Sequence, residues 1–309
     1  MNQKYSENKK LESYAVAGVG AGPAGMMAAV RASQSGARVI VLEKKHSAGL
    51  KLLMTGKERC NITNAERDEQ ILASNFGRNG KFLLSALYNF GVEDTINFFE
   101  QNGVPVKEER GGRIFPQSDK AMDVQHMLLR LLRKHKVDLR TRCSIKKINF
   151  SDGAINNIQL VGEEINATNF IIATGGLSYP ETGATGDGYA WAKRMGLCIV
   201  PPSPALTPIK VNEKWIDELE GLSLKNVAII AVQDNKKQAE RFGEALFTRN
   251  GLSGPIILDM SKEIGRLLKK GAVELHLDFK PALNFEKLDN RLLRDLQEFS
   301  NKEMKNIMS

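Results

Sequence analysis

Cysteine is scarce in this 309-residue chain, and what there is does not cluster. Cys60, Cys143 and Cys198 are odd in number and far apart, which excludes a disulfide framework and a zinc-type ligand set and points to a reducing, cytoplasmic compartment. Four histidines, His46, His126, His135 and His276, show no metal-ligand spacing. Long apolar runs are missing too: none approaches the roughly 18 residues that a bilayer span needs. The opening MNQKYSENKKLE is polar and lacks the apolar segment of a signal peptide, so residues 1–12 read as a frayed tail. Aromatics make up only 6% of the chain. The basic runs, Lys44-Lys45, Arg130 to Lys136 and Lys269-Lys270, are short and have no aromatics interleaved. The net charge of +8 therefore argues for ordinary solvated surface and a small anionic ligand rather than for nucleic acid.

What is present is a soluble globular composition, 42% hydrophobic and 26% charged, in a chain long enough for two domains. One stretch carries most of the chemistry. The apolar run Tyr14-Ala15-Val16-Ala17 leads into Gly20-Ala21-Gly22-Pro23-Ala24-Gly25. A helix-compatible segment, Met26 to Gln34, is broken by Gly36, and Arg38 to Leu42 reads as a second strand ending in Glu43. Strand, glycine turn, helix, strand and acid form one βαβ unit. The first glycine permits the tight turn, the second lets backbone approach a pyrophosphate, and the third lets helix pack on strand. The helix N-terminus offers unpaired N–H groups to phosphate oxygens. Glu43 stands about 20 residues beyond the turn, where an acid accepts from ribose hydroxyls. The unit predicts dinucleotide binding. No second GxGxxG has a strand before it, so a dedicated nicotinamide-nucleotide domain is not expected.

Further along, apolar spacing predicts helices over 81–101 and 119–135, and strands over Val137 to Phe150 and Ala154 to Val161 with a turn at Ser151-Asp152-Gly153. Phe170 to Ala173 is a short, continuously apolar strand ending in Thr174-Gly175-Gly176, a place where ligands sit in doubly wound sheets. Prolines 201, 202, 204 and 208 mark a linker. Beyond it, Asn226 to Gln233, Ala245 to Thr248, Pro255 to Asp259 and Val273 to Phe279 read as strands of a β-rich unit, with a helix over 284–299.

Five blocks give the chain a specific resemblance. They are VGAGPAGMMAA with LEK at 42–44, KLLMTGKERCNITN at 51–64, GGRIFPQSDKAMDV at 111–124, IIATGGLSYPETGATGDGYAWAKRMG at 171–196, and GEALFTRNGLSGPIIL at 243–258. Together they resemble the aminoacetone oxidase family of FAD-dependent oxidoreductases, which includes bile-acid-reductase-like (BaiN-like) flavoproteins. The resemblance implies an α/β fold: a Rossmann-type, glutathione-reductase-like FAD domain over 13–196, with an inserted β-rich and helical substrate domain over 197–309. It implies FAD as cofactor, a small-molecule substrate, and NAD(P)H or oxygen as electron partner. By position, Gly20, Gly22, Pro23, Ala24 and Gly25 would hold the pyrophosphate, Glu43 would take the ribose hydroxyls, and Lys44 would be among the cofactor-binding residues. Lys51 and the Arg59-Cys60-Asn61 turn would lie near the flavin and its phosphates. Ile145 matches a position whose backbone contacts adenine, and Thr174, Gly175 and Gly176 would line the cofactor.

The chain departs from the family at Gly56-Lys57-Glu58, where a glycine-rich turn is usual, at Gly18 inside the first strand, and at Arg249, where a histidine is common. The family's return to the Rossmann sheet, with a second flavin motif, has no match in residues 280–309. On that ground the inserted domain is expected to be incomplete, and the chain to be a fragment or degenerate copy that binds FAD weakly or not at all. The function expected of the family is hydride transfer between flavin and a small organic substrate, by amine oxidation or by reduction of an unsaturated compound. A catalytically inactive remnant and an FAD-dependent tRNA-modifying protein are the alternatives. No catalytic residue is assigned. Cys60 has no CxxC partner and reads as packing. Arg113 and Asp119 read as organisers of their turn, and Tyr179 and Asp187 as either substrate ligands or loop shapers.

Overall fold

A computed structural model describes residues 13–298; the expected tail over 1–12 lies outside them. The chain divides into two compact units, Met1–Ile199 and Val200–Ser309. In order, the first contains β1 (Ser13–Val19), α1 (Pro23–Gln34), β2 (Val39–Leu42), α2 (Leu50–Met54), β3 (Thr63–Asn64), α3 (Glu69–Ser74), α4 (Leu84–Asn89), α5 (Val92–Gln101), β4 (Val106–Glu109), β5 (Arg113–Pro116), α6 (Ala121–Lys134), β6 (Asp138–Arg140), β7 (Lys147–Ser151), β8 (Ala154–Gln159), β9 (Glu164–Ile172) and α7 (Asp187–Arg194). The second contains β10 (Ile209–Lys210), β11 (Ser223–Gln233), β12 (Lys236–Thr248), β13 (Gly251–Ser253), α8 (Pro255–Leu267), β14 (Glu274–Asp278) and α9 (Phe285–Glu298).

The main sheet of the first unit runs β6-β2-β1-β9-β8-β7. β6, β2, β1 and β9 are parallel, while β9, β8 and β7 form an antiparallel meander. All four residues of β2 are buried, as a strand covered on both faces must be. Its alternate side chains serve two cores. Val39 and Val41 face α1 and α6, with Met26, Val30, Leu128 and Leu132. Ile40 and Leu42 face the opposite side, with Tyr14, Ile148, Ile158 and Trp191. Burying each such side chain contributes about 1.5–3 kcal/mol, so the paired layers hold the strand ends rigidly in place. Gly18 is not demanded sterically: a Cβ there would meet Val41 Cγ2 at an ordinary 3.5 Å.

Three expectations are corrected. The helix over 81–101 breaks at Phe90-Gly91. Gly91 caps α5 and donates its N–H to Asp94 Oδ2 at 2.9 Å, so a new helix starts there. The strand expected over 137–150 is two strands on opposite edges of the sheet, β6 and β7. Between them Arg142 takes a left-handed φ of 58°, and Arg142 and Cys143 donate to Lys45 O and Glu43 O, so the chain crosses the carboxyl end of β2. Residues Pro255 to Asp259 open α8, not a strand. Pro255 is its first residue, and Ile256, Ile257, Met260 and Ile264 bury one face at helical spacing. That face covers the five-stranded antiparallel sheet β10-β13-β12-β11-β14.

Candidate cofactor-binding site

The chain leaves β1 for β2 and β6 on one side and returns to β9 on the other, so the sheet reverses direction at the carboxyl end of β1. Ligands of open α/β sheets bind at that point. Here three strand exits are tied together. Gly20 N donates to Leu42 O at 2.8 Å, and Ala173 N donates to Val19 O at 2.8 Å. Gly20 has φ +96°, and a Cβ on it would lie 2.5 Å from Ala173 O. A Cβ on Gly25 would lie 1.9 Å from Gly20 O, so the third glycine of the motif sits under the turn and lets α1 pack against it. Gly22 differs from both. Its backbone is extended (φ −75°, ψ 179°) and nothing lies within 4 Å of where a Cβ would be. It faces open space, with Pro23 as the first helical residue and the first-turn N–H groups of α1 lacking intrahelical partners.

That space is a cavity of about 530 Å³, within the size range of small-molecule sites. Of the expected residues, Gly20, Gly22, Pro23, Ala24, Glu43, Lys44, Lys51, Ile145, Thr174 and Gly175 line it. Gly25 lies beneath it. Gly176 is not among its lining residues; a Cβ there would meet the Tyr189 hydroxyl at 3.4 Å. Glu43 is 9% exposed. Its Oε2 accepts from Ala21 N at 2.9 Å and its Oε1 from Lys45 N at 2.8 Å. An ionised carboxylate has about four acceptor positions, so two remain for ribose hydroxyls. Lys51 Nζ donates to Ser178 Oγ at 3.2 Å. Lys44 Nζ donates to Thr185 Oγ1 at 2.6 Å and Asp187 Oδ2 at 2.7 Å.

Arg59, Cys60 and Asn61 do not line this cavity. Arg59 bonds Glu109 and Asp119 and lies over the Phe115 ring, 4.1 Å from its centroid. The Arg59 hydrogen bond holds the Glu109 carboxyl below its usual range; for Asp119 the Lys107 hydrogen bond does the same. Cys60 belongs to the core beside α1 and α6, and burial pushes its thiol pKa up. The Asn61 side-chain amide donates to Thr63 O at 2.9 Å and Ile114 O at 3.1 Å. The departure at Lys57-Glu58 has a physical consequence. Both residues take left-handed φ, 57° and 66°, a region that costs glycine nothing and other residues roughly 1–3 kcal/mol.

Sequence reasoning missed much of one wall. Thr182, Gly183, Ala184, Ala190 and Trp191 line the cavity, as do Cys143 and Ser144. The SYPETGATGDGY run was the available signal. Of its two open residues, Asp187 lines the cavity, while Tyr179, 55% exposed, is not among its lining residues. Among the described residues no three His, Cys, Asp or Glu are grouped to hold a metal, and no helix is long and apolar enough to cross a membrane.

Comparison with known proteins agrees with this geometry. The HI0933-like protein Rossmann domain matches residues 14–288. The chain is 32% identical over 268 residues to the 3-dehydro-bile acid delta(4,6)-reductase of Clostridium scindens, covering 86% of this chain and 64% of that one. It is also 32% identical over 243 residues to the ribosomal RNA dihydrouridine synthase of Escherichia coli K12, covering 79% of this chain and 59% of that one. It thus spans about three fifths of the curated relatives it matches. The 3-ketosteroid-delta4-(5alpha)-dehydrogenase of Rhodococcus jostii RHA1 shares the fold, with TM-score 0.52 at 14% identity over 74% of this chain and 68% of that one. A matching family domain over most of the chain, on a switch-point cavity built by its own glycine turn, places this protein in the HI0933-like Rossmann-domain family.

Proposed function

We propose that the cavity holds FAD, and that the chain is the cofactor-binding part of an oxidoreductase that saturates a carbon–carbon double bond conjugated to a carbonyl. The observation that carries the cofactor reading is the open space at Gly22, at the switch point and flanked by the acceptor-rich Glu43. A pyrophosphate fits where a Cβ is absent. Backbone N–H groups of the first turn of α1 would meet its oxygens, Glu43 would accept from the ribose, and Lys51 would supply positive charge. Ile145 and Ser144 would cover the adenine side. When bound, FAD supplies hydride chemistry, and the protein supplies position and electrostatics.

The substrate class comes from what two relatives share. A delta(4,6)-reductase of a 3-dehydro compound and a dihydrouridine synthase both act at a ring double bond in conjugation with a carbonyl. This favours reduction of an unsaturated compound over the amine oxidation associated with aminoacetone oxidases, with NAD(P)H as the electron donor. A second reading keeps the chemistry and changes the carrier: the double bond belongs to a uracil in RNA. The dihydrouridine synthase relative favours it.

The test is anaerobic. The protein is loaded with FAD, desalted, and reduced, and the visible flavin band is followed on mixing. Reoxidation by a 4-en-3-one steroid, or by uridine-containing RNA, supports the proposal and chooses between its two forms. Reoxidation by neither, with reduction of the oxidised form by aminoacetone, would replace it with amine oxidation.

A further inference from the structure

We infer that Lys44, Thr185 and Asp187 form a clasp that fixes residues 182–187 as a wall of the cavity, and that Lys44 acts by holding this wall rather than by carrying charge to the cofactor phosphates. The inference rests on the proposed occupant of the cavity for its binding consequence only.

Lys44 leaves the carboxyl end of β2, whereas Thr185 and Asp187 precede and open α7. Nothing local brings Lys44 to them, yet two polar contacts do, and a third links the two loop residues to each other. Lys44 Nζ donates to Thr185 Oγ1 at 2.6 Å and to Asp187 Oδ2 at 2.7 Å, and Thr185 Oγ1 donates to Asp187 Oδ1 at 3.0 Å. Asp187 is the first residue of α7, where a carboxylate also meets the positive end of the helix dipole. Burial works against its ionisation, but the bonds from Lys44 and Thr185 outweigh that and hold its carboxyl below the usual range.

The loop is built to lie close. Gly183, at φ +105°, rests on two lysine stems: a Cβ there would be 3.1 Å from Lys45 Cγ and 3.4 Å from Lys44 Cε. Ala184 is 5% exposed, and its Cβ lies 3.6 Å from where a Gly175 Cβ would be. Thr182, Gly183, Ala184 and Asp187 therefore line the cavity because the clasp seats them against the exits of β2 and β9.

The same contacts separate two lysines that look alike in sequence. Two of the three donors of Lys44 are engaged, and its charge is balanced by Asp187. Lys51 meets a hydroxyl, Ser178 Oγ, and among the described residues has no carboxylate partner. Lys51 is thus the cation whose charge is uncompensated at the cavity, and Lys44 is a positioning residue.

The experiment uses the full chain as wild type, K44Q, D187N, T185V and the K44Q/D187N double variant. Hydrogen exchange of the cofactor-free proteins is read across 177–187, and FAD dissociation rate and Kd are read in parallel. The clasp predicts faster exchange in that segment in each single variant. It also predicts FAD release accelerated about two- to fivefold, the range of a partly exposed ion pair, with the double variant no worse than the worse single. Unchanged exchange in K44Q and D187N would overturn the inference whether or not FAD binds. Two binding results would also overturn it. FAD held equally or more tightly by D187N would mean that the freed Lys44 reaches the phosphates. Additive effects in the double variant would mean that the two residues are independent ligands. Wild type that binds no FAD, with exchange responding as predicted, would leave the clasp standing and sink the proposed occupant.

Discussion

Replacing Gly22 with alanine separates the binding role of the glycine turn from its structural role. The structure fixes both halves of the expected result. Gly22 has φ −75° and ψ 179°, which alanine adopts without strain, and a Cβ there has no neighbour within 4 Å. Two small terms then oppose each other in the cofactor-free protein. Alanine is the poorer N-cap, by roughly 0.5–1 kcal/mol, and the loss of unfolded-chain freedom returns about 0.4–1 kcal/mol. The unfolding midpoint should barely move. With FAD bound, the same methyl occupies the space a pyrophosphate enters. A misfit methyl in a filled site costs about 1–3 kcal/mol, a loss of affinity of roughly five- to 150-fold. Gly25→Ala is the control with the opposite sign. Its Cβ would lie 1.9 Å from the Gly20 carbonyl oxygen, a backbone atom that moves only if α1 moves, so the fold itself should lose stability despite the better helix former. Denaturant melts without FAD and fluorescence titrations with FAD measure the two effects. A Gly22→Ala variant that is as stable as wild type and binds FAD equally well would refute the argument.

Three further outcomes follow from the same geometry. Alkylation should modify the exposed Cys198 first, Cys143 more slowly and more slowly still with FAD present because it lines the cavity, and buried Cys60 only on unfolding; mass-mapped labelling checks the order. Glu43→Gln should destabilise the cofactor-free protein by about 1–3 kcal/mol, because the amide cannot accept from both Ala21 N and Lys45 N, as urea melts would show. Asp187 has a folded pKa below its ordinary 3.8, so the stability it adds is present above that value and is lost as pH falls through the folded pKa. The gap in melting temperature between wild type and Asp187→Asn should therefore be open at neutral pH and close as the solution is acidified below 3.8.

The sequence was most legible where function and local conformation coincide. The β1–α1–β2 unit could be read residue by residue, because each motif glycine answers a separate local demand: a left-handed φ at Gly20, open space at Gly22, and a close approach at Gly25. What could not be read depends on contacts between distant segments. The crossing of residues 141–146 over the end of β2 is held by backbone bonds to Glu43 and Lys45, which no periodicity encodes. The wall at 182–184 is seated by Lys44, about 140 residues away in sequence. The start of α8 is not legible as helix, because a short apolar run after Gly-Pro suits strand and buried helix equally, and only the spacing through Ile264 decides between them. The Arg59-Cys60-Asn61 turn was legible as a motif, but its side chains are engaged with Glu109, Asp119 and the core, away from the cavity lining.

The central claim is that the switch-point cavity is a site for FAD, gripped through its adenosine diphosphate half. A titration of the purified chain with FAD, repeated in the presence of ADP and of FMN, tests it most directly. The account predicts saturable FAD binding that ADP displaces and FMN does not. Binding of FMN in preference to FAD, or FAD binding indifferent to ADP, would contradict it.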